Sequence, residues 1–145
     1  MDAGVFPVHG AALVAEGSVE SYQYRIFERA GFRFSYSHVV GPIGLETRLK
    51  LYERTLPHVI GGRYFGILDN AEGFENDLSL GAIKHLDTVL IARGVKSYFG
   101  ATITKDFGYS KIVKLAQTNM DTVGIDGAVI EVPDRASALA FIFAG

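Results

Sequence analysis

Acidic side chains are concentrated in one short stretch of this chain, and carboxylates are common acid–base groups and metal ligands. The segment 69–77 (DNAEGFEND) carries four of them, Asp69, Glu72, Glu75 and Asp77. A calcium-binding loop needs oxygen ligands at alternating positions and a glycine at the sixth. Counting from Asp69 instead places Ala71 third and Phe74 sixth. The spacing therefore favours a solvated loop followed by a helix cap, and we expect no bound metal.

Two aspartates could form a catalytic pair. Asp69 and Asp106 each follow a predicted strand, so they could meet at one edge of a sheet, and paired carboxylates can perform acid–base catalysis. Such a hydrolase would need both groups within hydrogen-bonding reach of a cleft. Strand-terminal aspartates more often cap turns, and the sequence contains no GxSxG, Walker or GxGxxG motif. We therefore expect no catalytic residues and no enzymatic activity.

The histidines and cysteines offer little further chemistry. Histidines occur at positions 9, 38, 58 and 85, with no pair four residues apart and no HExxH motif. His38 lies on the apolar face of a predicted strand, where we expect a hydrogen-bonded interior residue, and His85 lies on the polar side of a predicted helix. The chain has no cysteine, which excludes disulfides and thiolate metal sites. No cofactor is predicted.

Aromatic residues are the other conspicuous group. Phe34, Tyr36, Phe65 and Phe99 lie in predicted strands and could either fill the core or line a pocket for a small apolar ligand. A stacking surface for single-stranded nucleic acid would need basic residues interleaved across the sheet. Only Arg25 and Arg33 meet that requirement, so no nucleic-acid partner is expected.

Composition describes an ordinary globular chain. Apolar residues make up 48% and charged residues 21% of the 145 residues, and the formal net charge is −2. These values exclude a disordered chain and give little reason to expect non-specific nucleic-acid binding. No apolar run approaches the roughly 20 residues of a membrane-spanning helix. The N-terminus has an acidic Asp2 and no continuous apolar segment, so we expect a cytoplasmic protein.

Hydrophobic periodicity predicts the elements that position these residues. Period-two and continuous apolar runs predict strands at 22–28, 32–40, 64–68, 95–104 and 128–132. Helical spacing predicts helices at 45–59, 78–93, 109–120 and 135–143. Strands that alternate with helices predict an α/β fold with a single mixed sheet, βαβ crossovers and an N-terminal antiparallel hairpin that turns at Ala30-Gly31. Residues 1–20 form an arm or an extra strand, and residues 21–145 form the domain.

Details of the first two helices bear on function. In the first helix the predicted inner stripe is Leu45, Leu49, Tyr52, Leu56 and Val59, and Pro57 kinks or ends the helix. The predicted polar side contains Glu46, Arg48, Lys50, Glu53 and Arg54. For the second helix the candidate N-cap is Asn76 or Asp77.

From Phe32 to the C-terminus, about four-fifths of its length, the chain resembles the STAS/SpoIIAA-like family of bacterial proteins, which have the anti-sigma-factor-antagonist fold. Three segments carry the resemblance: VVGPIGLETRLKLYERTL, FGILDNAEGFENDLSLGAI and VIEVPDRASALAFI. They are similar to the family's first strand and helix, its Leu-Asp strand end with the following loop and helix start, and its closing strand and helix. The resemblance implies a non-enzymatic regulatory module that docks on a protein partner.

Signalling members of that family carry a phosphorylatable serine at the start of the second helix, where the helix N-terminus favours an anion. In this chain Asp77 stands at the serine's position, and Ser79 lies two residues later. Three alternatives are open: Ser79 takes the role, Asp77 supplies a permanent negative charge, or the switch is lost, which we favour. The expected docking surface is Asp69, Asn70, Asp77 and Ser79.

A second function follows from a structural likeness. Stand-alone SpoIIAA-like proteins are similar to lipid-carrying CRAL-TRIO domains, which implies as an alternative a carrier or sensor of a small apolar ligand or lipid held between helices and sheet. Phe34, Tyr36, Phe65 and Phe99 are the expected lining of that pocket. The exposed edge of the first hairpin could also pair two copies of the chain into a homodimer.

Overall fold

Six strands of the chain join in one mixed sheet in the computed structural model, which describes residues 10–105 and 110–144. The strands lie side by side in chain order: β1 (Ala12–Val19), β2 (Tyr22–Arg29), β3 (Phe32–Val39), β4 (Arg63–Asp69), β5 (Ser97–Ile103) and β6 (Asp126–Val132). The described helices are α1 (Leu45–Thr55), α2 (Leu80–Ala92), α3 (Ser110–Val123) and α4 (Arg135–Ala144). None of these helices is long and apolar enough to cross a membrane. The α/β class with one mixed sheet is as predicted.

The N-terminal half of the sheet is antiparallel. β2 and β3 form the predicted hairpin, and Ala30 and Gly31 both have positive φ (52° and 85°) at its turn. A two-residue turn with this backbone matches the twist of the strands it joins. Residues 12–19 form an edge strand that pairs with β2. β1 therefore covers the outer edge of the β2–β3 hairpin. The expectation that this hairpin has an exposed edge for pairing between two copies of the chain is wrong.

The C-terminal half of the sheet is parallel, and its helices divide between the two faces. α1, α2 and α3 connect β3 to β4, β4 to β5 and β5 to β6. Successive crossovers of the same hand between neighbouring strands place their helices on one face. Tyr52 of α1, Leu86 of α2 and Met120 of α3 accordingly share one core cluster. We call this side the three-helix face.

The other side of the sheet is covered by α4, and we call it the α4 face. Ala138 and Ile142 of α4 are fully buried in a second core cluster. Large side chains of the strands fill this cluster, among them Phe34, Phe65 and Ile67. Rings stack in pairs, with centroids 5.4 Å apart for Phe27 and Phe34 and 5.3 Å apart for Phe65 and Phe99.

Helix α2 begins later than predicted. Ser79 is its N-cap, and the Ser79 hydroxyl accepts a hydrogen bond of 3.1 Å from the backbone N–H of Ala82. Neither Asn76 nor Asp77 holds that position. The Asn76 side chain instead accepts from the backbone N–H of Leu78 at 3.1 Å, which shapes the turn before the helix. Of the three candidate caps, Ser79 is therefore the one whose side chain bonds to the first turn of the helix.

Candidate ligand-binding site

Small side chains form a row across the three-helix face of the sheet. Ser35, Gly66 and Gly100 are neighbours in register on β3, β4 and β5. A Cβ atom at Gly66 would lie 2.8 Å from Cε1 of Tyr64, and one at Gly100 would lie 2.8 Å from Cε1 of Tyr98. The two tyrosine rings therefore lie over the glycines, stacked on each other with centroids 4.8 Å apart. Because these three residues have small side chains, the row forms a flat surface, which we call the floor. The stacked rings of Tyr64 and Tyr98 border it at one end.

A cavity of about 90 Å³ lies between this floor and the three helices. Its lining includes Leu51 of α1, Leu86 of α2 and Met120 of α3, and apolar surface predominates over polar surface. By this measure a single water needs roughly 10–15 Å³. The cavity is therefore large enough for the apolar part of a small organic molecule, and it is partly open to the surface.

One charged side chain on the cavity comes from the buried stripe of α1. Arg48 lines the cavity with Leu51 and Tyr52, one turn further along the helix. Arg48 therefore does not lie on the predicted polar side of the helix, and that prediction is wrong. Positions 48, 51, 52 and 55 have the i, i+3, i+4, i+7 spacing of one helix face, so this spacing, applied without regard to charge, would have identified Arg48.

The Arg48 guanidinium has tyrosine partners and no acidic one among the residues described. Its Nη2 donates to the Tyr98 hydroxyl at 2.9 Å and, more weakly, to the Tyr52 hydroxyl at 3.5 Å. Nε is buried and has no hydrogen-bond partner in the described part of the chain. The described ion pairs, with a limit of 4.0 Å, do not include Arg48. Among the described residues, this cation therefore has no adjacent counterion.

The electrostatics keep Arg48 charged and keep Tyr52 and Tyr64 neutral. Burial acts to lower the pKa of Arg48, but the surrounding tyrosines, Tyr52 and Tyr98 foremost, hold that pKa well above its ordinary value. Burial raises the pKa of Tyr52 well above its usual range and that of Tyr64 to about 12. At neutral pH the hydroxyls of Tyr52 and Tyr64 therefore act as neutral donors and acceptors.

Two more buried polar groups lie near Arg48. Ser37 is 1% exposed and lines the cavity, and its hydroxyl has no partner among the described residues. The Tyr22 hydroxyl is likewise without a described partner, and Tyr22 is close enough to Arg48 to affect its pKa. Leaving a buried polar group unpaired costs roughly 1–3 kcal/mol. The three-helix face thus contains three buried polar atoms without a hydrogen-bond partner among the described residues: the Ser37 and Tyr22 hydroxyls and the Arg48 Nε.

An acidic group lies on the α2 side of the same cavity. Asp87 is buried, and its Oδ2 accepts a hydrogen bond of 2.6 Å from the Asn119 side chain of α3. Burial raises the pKa of Asp87, although the Asn119 bond opposes that shift. The cavity thus has a cation on α1 and a hydrogen-bonded acid on α2.

The four residues predicted as a docking surface separate into two pairs. Asp69 is 8% exposed, accepts hydrogen bonds from the Tyr36 hydroxyl and from the backbone N–H of Ala71, and holds the end of β4. Asn70 is fully buried, and its side-chain amide is bonded to the backbone of Phe74 at both ends. These two residues shape the loop and present little to a partner. Asp77 and Ser79 are exposed.

The predicted aromatic pocket residues lie elsewhere. Phe34, Tyr36 and Phe65 are packed in the α4 face, with Phe99 against them. None of these four residues lines the 90 Å³ cavity, which lies on the opposite side of the sheet. The expected lining is therefore corrected. Residues with odd and even positions along a strand point to opposite faces, and the aromatic residues chosen all point away from the crossover helices.

Of the predicted chemical groups, His38 differs most from expectation. Its side chain is 39% exposed at the end of β3, with Nδ1 3.7 Å from Asp69 Oδ2 and Nε2 3.5 Å from Glu72 Oε2. It is therefore half-buried and not an interior residue: its side chain lies on the α4 face, whereas the next residue, Val39, points to the other face and is fully buried. No group of three His, Asp or Glu residues within 10–105 and 110–144 could hold a metal ion. Asp106, the second member of the predicted carboxylate pair, lies outside the described residues.

Comparisons with known proteins add no relative. No family model matches the chain, no curated protein matches it, and no solved structure matches it. Any functional proposal must therefore be argued from the geometry of the site.

Proposed function

We propose that this protein is a non-enzymatic binding module for a small, largely apolar molecule, held between the sheet and helices α1, α2 and α3. The observation that carries this proposal is the cavity of about 90 Å³ over the row Ser35, Gly66 and Gly100. The protein acts as a carrier or sensor of that molecule, the second of the two functions inferred from the sequence, but at a different place from the aromatic pocket predicted there.

The composition of the floor supports this proposal. The row Ser35, Gly66 and Gly100 keeps about 90 Å³ between the sheet and the helices free of side chains. Larger side chains at the glycines would reduce that space, but the rings of Tyr64 and Tyr98 occupy the positions these side chains need. A largely apolar ligand in this space would remove apolar surface from water, which favours binding.

The resemblance to SpoIIAA-like proteins concerns the fold alone. It is consistent with a binding role but does not specify a ligand. The mixed sheet with sequential crossovers and an additional helix on the opposite face supports membership of that family as a proposal. The family's phosphorylation switch has no support of its own here, since Ser79 already caps α2 through Ala82.

The proposal is tested by filling the cavity. Ala116 of α3 lines it, and Ala116→Leu would occupy much of the space. The matched control is Ala140→Leu, at an exposed position of α4 on the opposite face. The probe is 1-hexanol, titrated while backbone amide shifts are followed by NMR. We expect shifts around Ser35 and Gly66 in the wild type and in the control, and none in Ala116→Leu.

Two results would count against this function. One is an absence of hexanol-induced shifts in the wild type. The other is an equal response in Ala116→Leu, because the probe would then bind elsewhere. Native mass spectrometry of the purified protein provides an independent measurement: a co-purifying small molecule whose occupancy falls in Ala116→Leu supports the proposal.

A docking role at the start of α2 is a second candidate, favoured by one observation. Asp77 and Ser79 are exposed beside Leu80, whose side chain is 42% exposed although it is large and apolar. Exposed apolar residues with a polar rim are typical of interaction surfaces. A pull-down with Asp77→Arg and Ser79→Glu variants tests this surface, and unchanged partner recovery with both variants would exclude it.

A further inference from the structure

We propose that the ligand carries a single carboxylate and that Arg48 binds it. This inference rests on the proposed function and specifies its ligand class: a small monocarboxylate with an apolar body. The arrangement behind it is the Arg48 guanidinium at the edge of an apolar cavity, with Nε buried and unpartnered among the described residues.

The Nε–H of Arg48 is the donor that the protein leaves without a partner among the described residues. The hydrogen bonds of this guanidinium to tyrosines both use Nη2, which donates to Tyr98 at 2.9 Å and to Tyr52 at 3.5 Å. A carboxylate binds an arginine through two parallel N–H groups, and such charge-assisted pairs are stronger than neutral hydrogen bonds. On the edge that carries Nε, the second donor is an N–H of Nη2, so a carboxylate there would replace the weak contact with Tyr52 and keep the bond to Tyr98.

The two tyrosine hydroxyls provide an additional donor. Tyr52 and Tyr98 are 3.1 Å apart between their hydroxyl oxygens, so one of them donates to the other. Each hydroxyl has one proton, and this bond uses one of the two. The second proton is available to an anion that approaches Arg48, which completes a site with donors from α1 and β5.

The charges on the cavity favour a monoanion. The Arg48 side chain is half-buried, and it has no acidic partner among the described residues. An anion that joins it with good geometry offsets the cost of removing the charge from water. Asp87 does not do so, since it lies beyond 4.0 Å from Arg48 and its Oδ2 is bonded to Asn119. A phosphate dianion carries two negative charges, and the cavity would offer it one arginine together with the acidic Asp87. A carboxylate carries one negative charge and is therefore the better match for Arg48.

The experiment compares probes that share an apolar chain and differ in the head group. Hexanoate, 1-hexanol and hexyl phosphate are titrated into the full chain at neutral pH and followed by backbone amide shifts. The variants are Arg48→Met, which removes the charge at similar length, and Arg48→Lys, which keeps a charge without the planar fork. Arg54→Met, at an exposed position of the same helix, is the matched control, and thermal unfolding verifies that each variant is folded.

We expect hexanoate to bind the wild type and Arg54→Met at least tenfold more tightly than hexanol. In Arg48→Met this preference disappears while hexanol still binds, and Arg48→Lys retains an intermediate preference, because a lysine donates to a carboxylate less specifically. Equal affinities for hexanoate and hexanol in the wild type would overturn the inference. So would tighter binding of hexyl phosphate, or an Arg48→Met variant that still prefers hexanoate.

The outcomes separate this inference from the function on which it rests. If hexanol binds in the cavity and hexanoate has no advantage, only the role of Arg48 is wrong. If neither probe binds, the cavity is not a ligand site and both proposals are wrong.

Discussion

The two faces of the sheet are built from the same strands but from different kinds of side chain. On the α4 face, rings of Phe27, Phe34, Phe65 and Phe99 stack in pairs against a helix with fully buried Ala138 and Ile142. On the three-helix face, the row Ser35, Gly66 and Gly100 leaves an open space beneath three helices.

This difference indicates that the two faces have different roles: the α4 face stabilises the fold, and the three-helix face binds a ligand. Close packing of large apolar groups stabilises a fold, and the α4 face provides that packing. The three-helix face instead contains a partly open cavity, the charged Arg48 and a Ser37 hydroxyl that has no partner among the described residues. Packing for stability alone would not leave such features, and their grouping in one place is typical of a binding site.

The largest expected effect comes from the packed face. Phe34 is 1% exposed and stacks on Phe27, so Phe34→Ala should lower the free energy of unfolding by about 3–5 kcal/mol. Ser37→Ala is the comparison on the other face, where removal of an unpaired hydroxyl should leave stability unchanged or raised. Urea unfolding measures both. Similar losses for the two variants would contradict the division between the faces.

Arg48→Met should lower the stability of the ligand-free protein by about 1.5–3 kcal/mol, because it removes the charge-assisted hydrogen bonds from Nη2 to Tyr98 and Tyr52. It also removes a charge that the fold favours, since the pKa of Arg48 is raised in the folded protein. Thermal unfolding of the wild type, Arg48→Met and Arg54→Met provides the test. An Arg48→Met variant as stable as Arg54→Met would contradict a contribution of these bonds to stability.

A smaller effect is expected at the start of α2. Ser79→Ala removes the N-cap bond to Ala82 and should lower stability by about 0.5–2 kcal/mol, while hexanol binding stays as in the wild type. Asp77→Ala, at an exposed position before the helix, is the control and should change stability less. Chemical unfolding compares the two variants. If Asp77→Ala were the more damaging substitution, Ser79 would not be the functional cap.

The smallest effect concerns the pH dependence from Asp87. Its pKa is raised in the folded protein, chiefly by burial, so ionisation of Asp87 opposes folding. This unfavourable contribution is absent below the pKa of the unfolded chain, about 3.9, and develops as pH rises through the folded pKa. Asp87→Asn should therefore be slightly more stable than the wild type at pH 7, with the difference shrinking on acidification. Unfolding curves at several pH values check this, and a difference that grows towards low pH would contradict it.

The sequence predicts the architecture better than the site. Alternation in 32–40, the turn at Ala30-Gly31 and the apolar run at 64–68 predict strands that the structure contains, because these patterns reflect burial of one strand at a time. For residues 1–20 the sequence predicts an arm or an extra strand without deciding between them, since the strand at 12–19 is defined by its pairing with β2.

The site depends on relations between elements that periodicity does not contain. That Gly66 and Gly100 are neighbours follows from the register of β4 and β5, and that tyrosine rings cover them follows from side-chain packing. The sequence predicts Arg48 on the polar side of its helix, because charged side chains usually are exposed. Its spacing from Leu51 and Tyr52 instead places it on the helix face that lines the cavity. In this chain, the feature of the sequence that best indicates the cavity is a charged residue, Arg48, at a position whose helical spacing predicts burial.

The NMR signal of the Arg48 Nε–Hε group tests the central claim most directly. Arg48→Met assigns this signal by its disappearance, and hexanoate and 1-hexanol are then added separately to the wild type. We predict a downfield proton shift with hexanoate, as the free Nε–H donates to a carboxylate oxygen, and little change with hexanol. A signal that stays in place while hexanoate shifts the backbone amides around Gly66 would contradict the assignment of Arg48 as the carboxylate anchor.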